Sequence, residues 1–156
     1  MIRKIIKFIL IVVWMGLIFS FSSDNATAST NKSDGVIIKI VQVFKNDNLT
    51  IKEKEYWTNK LVVPIRKGAH FFVYFILGLL VISFLKEYGS IDKKRIVLAI
   101  LVTFLYACSD EVHQLFVPGR SGQVSDVLLD TFAGIISIIS YGIIYNKIGK
   151  RGYSSE

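Results

Sequence analysis

Long apolar stretches alternate with short polar ones along the chain. Four apolar stretches cover about residues 5–21, 69–85, 96–115 and 127–145, and charged or turn residues bound each of them. A helix needs roughly 20 apolar residues to cross about 30 Å of hydrocarbon. The pattern therefore predicts an all-α membrane protein with four transmembrane helices, organised as a single domain over residues 1–156.

The first apolar stretch has two interpretations. The basic residues Arg3, Lys4 and Lys7 precede it and the small residues 26–28 follow it, which is also the pattern of a cleaved secretory signal peptide. Its length and the aromatic residues within it, such as Trp14, favour a retained span that is anchored at the membrane interface.

The first linker, residues 22–68, is too long for a plain connection. Within residues 36–44, Lys39 and Gln42 are the polar positions, and with Lys45 they recur every three residues. This spacing predicts a short amphipathic helix in an extracytoplasmic loop. Its apolar face either lies on the outer membrane surface or packs against the bundle. Pro64, which follows, is expected to stand outside a helix interior, shortly before the second span.

Composition supports a membrane protein and excludes some functions. Apolar residues make up 52% of the chain and aromatic residues 13%. The net charge of +7 resides in clusters beside the apolar stretches, as at residues 93–95, where it suits binding to membrane lipids and not to nucleic acid. The single cysteine, Cys108, rules out an intramolecular disulfide.

The distribution of basic residues predicts the orientation. The amino terminus, the linker at residues 86–95 and the carboxyl end, with Lys147, Lys150 and Arg151, are basic, whereas the linker before the fourth span holds only Arg120. Both termini are therefore predicted to be cytoplasmic. The first linker carries eight basic residues, which argues against placing it outside, but five acids dilute them and its length weakens the rule.

Ionisable residues at membrane depth are costly, so they mark pairing or function. At helical spacing one face near the end of the third stretch carries Thr103, Tyr106, Asp110, His113 and Gln114. Glu111 points at least a quarter turn away from that face. Because the third and fourth stretches run in opposite directions, this face is expected to meet the start of the fourth.

Two further polar faces are expected at the same membrane depth, on the outer side. The fourth stretch begins with Asp126 and Asp130, and its stripe continues through the small residues Ala133, Ser137 and Ser140. The second stretch contributes Arg66, Lys67, His70 and Tyr74. With Arg120, three fixed cations then balance four acids, and a bidentate pairing of an arginine with two carboxylates is the expected geometry.

This cluster has several interpretations. It either serves only to fasten the helices together or forms a functional pocket. In a pocket, acid/base chemistry would rest on Asp110, Glu111 and His113. Metal binding would use His70, Asp110, His113 and Asp126, but their spacing is not a metal motif, so no metal or other cofactor is predicted.

The turn at residues 117–122 should hold Arg120 rigidly, because Pro118 presets the turn and the glycines allow positive φ. Arg120 there would either clamp a phosphate or carboxylate or neutralise Asp126 or Glu111.

The chain resembles the VanZ-like family over nearly its whole length. The resemblance rests on FSFSS at residues 19–23, RKGAHF at 66–71 and DEVHQLFVPGR at 110–120, and it continues through Asp126, Asp130 and Gly134. It implies a bacterial cytoplasmic-membrane protein of the type whose best-known members lower susceptibility to teicoplanin and related lipoglycopeptide antibiotics. The first linker departs from the compact form typical of the family.

Two functions from different classes follow. In the first, a polar pocket at the outer face binds a lipid head group, a lipid-linked cell-wall precursor or a lipoglycopeptide, and no reaction occurs. In the second, the protein is an intramembrane enzyme that acts on a lipid-linked or cell-envelope substrate by carboxylate and histidine chemistry, with Arg66 or Arg120 holding an anionic group. The sequence leaves the oligomeric state open.

Overall fold

A computed structural model describes the backbone of residues 1–45 and 48–153 and the side chains of that part up to residue 147. The side chains of Lys150 and Arg151, used above for the orientation, lie outside it. This part of the chain consists of helices and their connections, with no strand. The helices are α1 (Ile2–Ser22), α2 (Ala26–Lys45), α3 (Ile51–Lys86), α4 (Lys93–Gln114) and α5 (Val124–Tyr153).

Four of these helices, α1, α3, α4 and α5, are long and apolar enough to cross a membrane. They match the four predicted spans, and the predicted all-α membrane fold is confirmed. The capping residues explain some of the bounds. Asp92 accepts a hydrogen bond from the backbone N–H of Arg95 and so begins α4 ahead of its apolar part.

The helix α3 begins 18 residues earlier than the predicted second span. Thr50 and Glu53 form a reciprocal capping box at its start. At 1.5 Å per residue, a helix of 36 residues is about 54 Å long, so roughly 24 Å of it extends beyond a hydrocarbon layer. The expectation that Pro64 stands outside a helix was wrong, because α3 runs through it. Pro64 cannot donate to the carbonyl of Lys60, and packing against α2 holds this part of α3 together despite that loss.

The predicted amphipathic helix exists but is longer than expected. Residues 36–44 are the second half of the 20-residue helix α2. Ile37 and Val41 are buried against the first half of α3, where Trp57, Leu61 and Ile65 receive them. Of the two predicted placements, packing by the apolar face is therefore the one observed. Lys39 and Lys45 lie on the exposed side, as the polar stripe predicted.

The helix α1 is an integral part of the bundle. The indole Nε1 of Trp14 donates to the backbone oxygen of Val73 at 2.9 Å, and the hydroxyl of Tyr106 donates to the backbone oxygen of Met15 at 2.5 Å. Contacts of this kind with α3 and α4 favour a retained span over a cleaved signal peptide.

The small-residue stripe of α5 packs closely on α3 and α4. Ala133 and Ser137 are fully buried, as predicted. A Cβ atom at Gly78 would lie 2.2 Å from the hydroxyl oxygen of Ser137 and 2.8 Å from the backbone oxygen of Gly134, so only glycine permits this approach of α3 to α5. The close packing fixes the relative height of these helices and thus of their polar residues.

Candidate functional site

The polar residues gather where α1 and α4 end and α5 begins, beside the middle of α3. Asp110, Glu111, Asp126 and Asp130 are all buried there, from two helices whose ends meet. Since the chain crosses the bundle in alternating directions, the end of α4 and the start of α5 lie on the same side of it. The predicted convergence of acids from these two helices is therefore present in the fold.

Neutral donors hold two of the carboxylates. The hydroxyl of Ser22 donates to Oδ2 of Asp110 at 2.8 Å. Glu111 accepts from the backbone N–H of Gln123 at 2.8 Å and from Nε2 of Gln114 at 3.2 Å. Each of these acids therefore has its orientation fixed by hydrogen bonds, without a cation at that oxygen.

The helix α3 supplies the positive partners. Lys67 Nζ lies 2.7 Å from Oδ1 of Asp126, and Nδ1 of His70 lies 3.4 Å from Oδ2 of Asp130. Asp130 is completely buried and Asp126 nearly so, whereas the side chain of Lys67 reaches solvent. The cluster thus changes from an ordinary ion pair at its rim to a histidine and carboxylate pair in its interior.

Glu111 was expected at the same depth as the other three acids but at least a quarter turn from the face that carries Asp110, and the structure nevertheless brings it together with Asp110 and Asp130. One oxygen each from Asp110, Glu111 and Asp130 and one ring nitrogen of His70 all lie within 4.8 Å of one another. The backbone after α4 folds back over its last turn, and this return brings the N–H of Gln123 onto Glu111. The helical wheel described α4 alone and could not include a chain segment that covers its second face.

His113 was expected to share the cluster, but it faces α1 instead. Its ring stacks on Phe19 with 4.2 Å between ring centroids, and its Nε2 lies 3.1 Å from the hydroxyl oxygen of Ser23. Its neighbour one turn away, Asp110, turns inward. The two histidines of the chain therefore serve different places, and only His70 belongs to the acidic cluster.

Arg120 was expected to pair with carboxylates, and within the described part of the chain it forms no ion pair. Its Nε donates to the backbone oxygen of Asp24 at 2.9 Å, and its terminal nitrogens donate to the side-chain oxygen of Gln114 at 3.3 Å and to the backbone oxygen of Phe21 at 3.4 Å. Gly119 has the predicted positive φ, at 75°. The turn thus directs the guanidinium to the end of α1, whose free carbonyls need donors.

Of the remaining predicted site residues, Tyr74 and Tyr106 lie side by side, and Gln114 connects the cluster to α1. Tyr74 is fully buried, and its ring centroid lies 6.2 Å from that of Tyr106. Tyr106 directs its hydroxyl to α1, as described above. Gln114 joins the acidic cluster to α1, because its Nε2 donates both to Glu111 and, at 3.2 Å, to the hydroxyl of Ser22.

The helix α1 also contributes to the site, which the sequence pattern had indicated for only three spans. Ser22 contacts Asp110 and Gln114, and Arg120 donates to the backbone oxygen of Phe21 near the end of α1. A usable signal was present, because α1 and α4 run in the same direction and both end in polar residues. These ends had to lie at similar depth.

A cavity of about 350 Å³ opens beside the cluster, between the end of α1, the start of α2 and the middle of α3. Its walls are mainly apolar and include Ile18, Phe21, Val36, Ile65, Ala69 and Val73. Two members of the acidic cluster, His70 and Asp110, reach its surface. Glu111 and Asp130 do not line it and lie behind them.

Three cations also line this cavity. They are Lys32 on α2, Arg66 on α3 and Arg120 in the turn before α5. Lys32 forms an exposed ion pair with Asp24. Arg66 has no hydrogen bond or ion pair within residues 1–45 and 48–147, so its guanidinium is free to bind an anion.

Residues 7–145 match the family model VanZ/LLP1, which thus covers nearly the whole chain. The protein belongs to the VanZ/LLP1 family. The resemblance drawn from its motifs is confirmed, and four apolar helices together with this membership identify a VanZ-like multi-pass membrane protein. Neither the curated proteins nor the solved structures give a significant match.

In this VanZ-like protein the segments that carried the resemblance adjoin one another in space. FSFSS ends α1, RKGAHF lies in α3 and DEVHQLFVPGR ends α4 and forms the following turn. They supply Ser22, His70, Asp110 and Glu111 to the cluster and Arg66 and Arg120 to the cavity. The motif residues therefore describe one site.

Proposed function

We propose that this VanZ-like protein binds an anionic group attached to an apolar chain in the cavity at the end of α1. Ligands of this class are a lipid head group, a lipid-linked cell-wall precursor or a lipoglycopeptide. By binding such ligands at the membrane surface, the protein would lower susceptibility to teicoplanin and related lipoglycopeptide antibiotics. The observation that carries the proposal is the combination, in one cavity, of apolar walls and of Arg66, a cation without an ion pair among the described residues.

Charge and size both support this ligand class. Arginine presents a planar fork of donors that matches a phosphate or a carboxylate, and a neighbouring apolar wall shields such a contact from water. A volume of about 350 Å³ is at the lower end of the range for small-molecule sites. It suits a head group or part of an acyl chain, and the remainder of a large amphiphile would stay in the membrane.

We further propose that the protein resides in the bacterial cytoplasmic membrane with both termini in the cytoplasm. The cavity then opens on the outer face, where these antibiotics arrive. A single cysteine introduced at Lys60 in a Cys108→Ser background should react with a membrane-impermeant thiol reagent in intact cells. If labelling requires cell lysis, the orientation is the opposite of the one proposed.

The binding function is tested by removing one charge from the cavity. Arg66→Gln should lower the inhibitory concentration of teicoplanin for an expressing host to that of the host without the protein, because the free guanidinium is lost. The matched control is Lys60→Gln, which removes a positive charge from an exposed position on the same helix. It should protect as the parent does.

Two further comparisons make the result specific. Ala69→Phe should remove protection by filling the cavity from its apolar wall, while Val97→Phe introduces the same side chain at an exposed position of α4. A glycopeptide without an acyl chain should show a smaller difference between cells with and without the protein. If Arg66→Gln and Ala69→Phe, both inserted at parental levels, protect fully, the cavity is not the binding site.

A second candidate function is an intramembrane enzyme that converts a lipid-linked or cell-envelope substrate. It is favoured by the position of His70 and Asp110 at the cavity surface, where they could exchange protons with a bound head group. Mass spectrometry of lipid extracts should then show a species that appears with the parent protein and disappears with Asp110→Asn. Identical lipid profiles would exclude this candidate.

A further inference from the structure

We propose that His70, Asp110, Glu111 and Asp130 bind one divalent transition-metal ion, Mn²⁺ or Zn²⁺, at the base of the cavity. The inference goes beyond the proposed function, because metal binding here does not depend on which amphiphile the cavity holds. It rests on the geometry of the four side chains, on two carboxylate oxygens without partners and on the cavity that gives access to them.

The geometry is close to that of a metal centre. The four candidate ligand atoms lie within 4.8 Å of one another. In a tetrahedral site with bonds of about 2.0–2.2 Å the ligand atoms are about 3.3–3.6 Å apart, so side-chain rotations that move these atoms by about 1 Å would bring the set onto one ion. The ligands come from three helices, α3, α4 and α5, which explains why no metal motif exists in the sequence.

Two oxygens in the cluster point to a missing partner. Oδ1 of Asp110 and Oδ1 of Asp130 are buried without a hydrogen-bond partner in the described part of the protein, and the buried hydroxyl of Tyr74, beside Asp110, is the nearby donor that could reach only the first of them. The exposed fractions of these residues are 3% and 0%. A buried carboxylate oxygen without a partner is costly, and a cation between the two acids would remove that cost.

The other oxygens are already held in place. Ser22 donates to Oδ2 of Asp110, and Gln123 and Gln114 donate to the two oxygens of Glu111. Such outer hydrogen bonds orient the ligands of metal sites and tune their basicity. Here each oxygen of Glu111 accepts one hydrogen bond, whereas Asp110 accepts one at Oδ2 and none at Oδ1 among the described residues.

The charge balance also favours a dication. As metal ligands, three carboxylates and a deprotonated imidazole nitrogen carry a charge of −3. Of the fixed cations around the cluster, Lys67 pairs with Asp126 and Arg120 donates to backbone carbonyls and to Gln114, while Arg66 lines the cavity and forms no ion pair with these acids within the described residues. Three oxygen ligands with one imidazole nitrogen suit Mn²⁺ or Zn²⁺ better than a soft ion such as Cu⁺, and Cys108 is not part of the set.

The cavity supplies a route and an open coordination position. His70 and Asp110 line it, whereas Glu111 and Asp130 lie behind them. An ion held by the four would therefore be approached from the cavity side only. A metal site with a free position facing a cavity can bind an oxygen of a ligand there, near the guanidinium of Arg66.

The test measures metal content in the full-length protein. The protein is purified in detergent with an affinity tag that lacks histidine, loaded with MnCl₂ or ZnCl₂, and passed through desalting before elemental analysis. Wild type should retain about one ion per chain, and Asp130→Asn and His70→Gln should lower the affinity at least about tenfold. The controls are His113→Gln and Asp92→Asn, which remove the other histidine and an exposed acid and should retain the ion.

A second measurement does not need any variant. After treatment with a chelator, the melting temperature of the wild type should rise with the concentration of added Mn²⁺ or Zn²⁺, and Ca²⁺ should have less effect. Retention of less than a small fraction of an ion per chain by wild type, with no such rise, would overturn the proposal. Equal retention by wild type and a folded Asp130→Asn variant would overturn it as well, because the retained ion would then be bound elsewhere.

Discussion

The two ends of the bundle handle charge in opposite ways. At the end where α3 stops and α4 starts, Lys7 Nζ lies 2.6 Å from Oε1 of Glu87, and Arg95 lies 3.0 Å from Asp92. Lys4 contacts the ring of Tyr88. At the other end, acids are buried and two of their oxygens have no partner among the described residues.

This difference suggests that the charges at the first end anchor the helices, whereas those at the second end belong to a binding site. Pairs at the first end are at least partly exposed and use long, flexible cations, which suits helix ends at a lipid surface and contributes little to stability. A merely structural network at the second end would be expected to satisfy all of its polar atoms. Incomplete satisfaction beside a cavity is typical of a site that binds something.

The largest effect is expected from a change between the two ends. Gly78→Val places a side chain where a Cβ atom alone would lie 2.2 Å from the hydroxyl oxygen of Ser137. The backbone of Gly134 cannot move aside cheaply, so we expect a loss of about 3 kcal/mol or more and little folded protein. Yield and the melting temperature in detergent measure this. The control Gly16→Val, on an open face of α1, should behave as wild type.

The next effect distinguishes the ends by function. Asp110→Asn should reduce protection against teicoplanin to that of cells without the protein, because it removes a carboxylate that we propose to ligate a metal ion beside the cavity. Asp92→Asn makes the same chemical change at the opposite end, where the side chain caps α4 and is about half exposed. It should leave protection unchanged. Equal effects of the two substitutions, at equal membrane levels, would remove the functional distinction between the ends.

The sequence was sufficient for features that depend on one helix. The four spans, the buried stripe of α5 and the amphipathic character of α2 all follow from periodicity. It failed where a second segment changes the surroundings of a residue. Pro64 stays helical because α2 packs on that part of α3, and Glu111 is drawn inward by the returning chain at Gln123.

The composition of the site shows the same limit. His70, Asp110 and Asp130 were predicted to converge, since their positions follow from helix direction and depth. The direction in which His113 points depends on Phe19 and Ser23 of α1, and no property of α4 alone encodes it. Which helices are neighbours was therefore the missing information.

A smaller effect is expected on the stability of the metal-free protein, and its sign is the informative part. In the presence of a chelator, Asp130→Asn should raise the free energy of unfolding by about 1 kcal/mol, because it removes a buried charge with an unpartnered oxygen. His70 can lose its proton, so no unpaired charge remains. The melting temperature should rise by about 2–4 °C. A large decrease in the melting temperature would instead show that the cluster serves to hold the helices together.

The smallest effect is expected at the opposite end and depends on pH. A hydrogen bond from Lys7 holds the pKa of the Glu87 carboxyl below its ordinary value of 4.5, although burial opposes this. Because the pKa is lower in the folded protein, the pair stabilises above the unfolded pKa and this contribution is lost as the pH falls through the folded pKa. The melting temperatures of wild type and Glu87→Gln should therefore differ by a constant small amount between pH 7 and about pH 5.5 and converge as the pH falls through the lowered pKa of the folded protein. A Lys7→Met background should remove the difference at every pH. A difference that persists in that background would show that Glu87 acts through other groups, and the simple ion-pair description of this end would then be wrong.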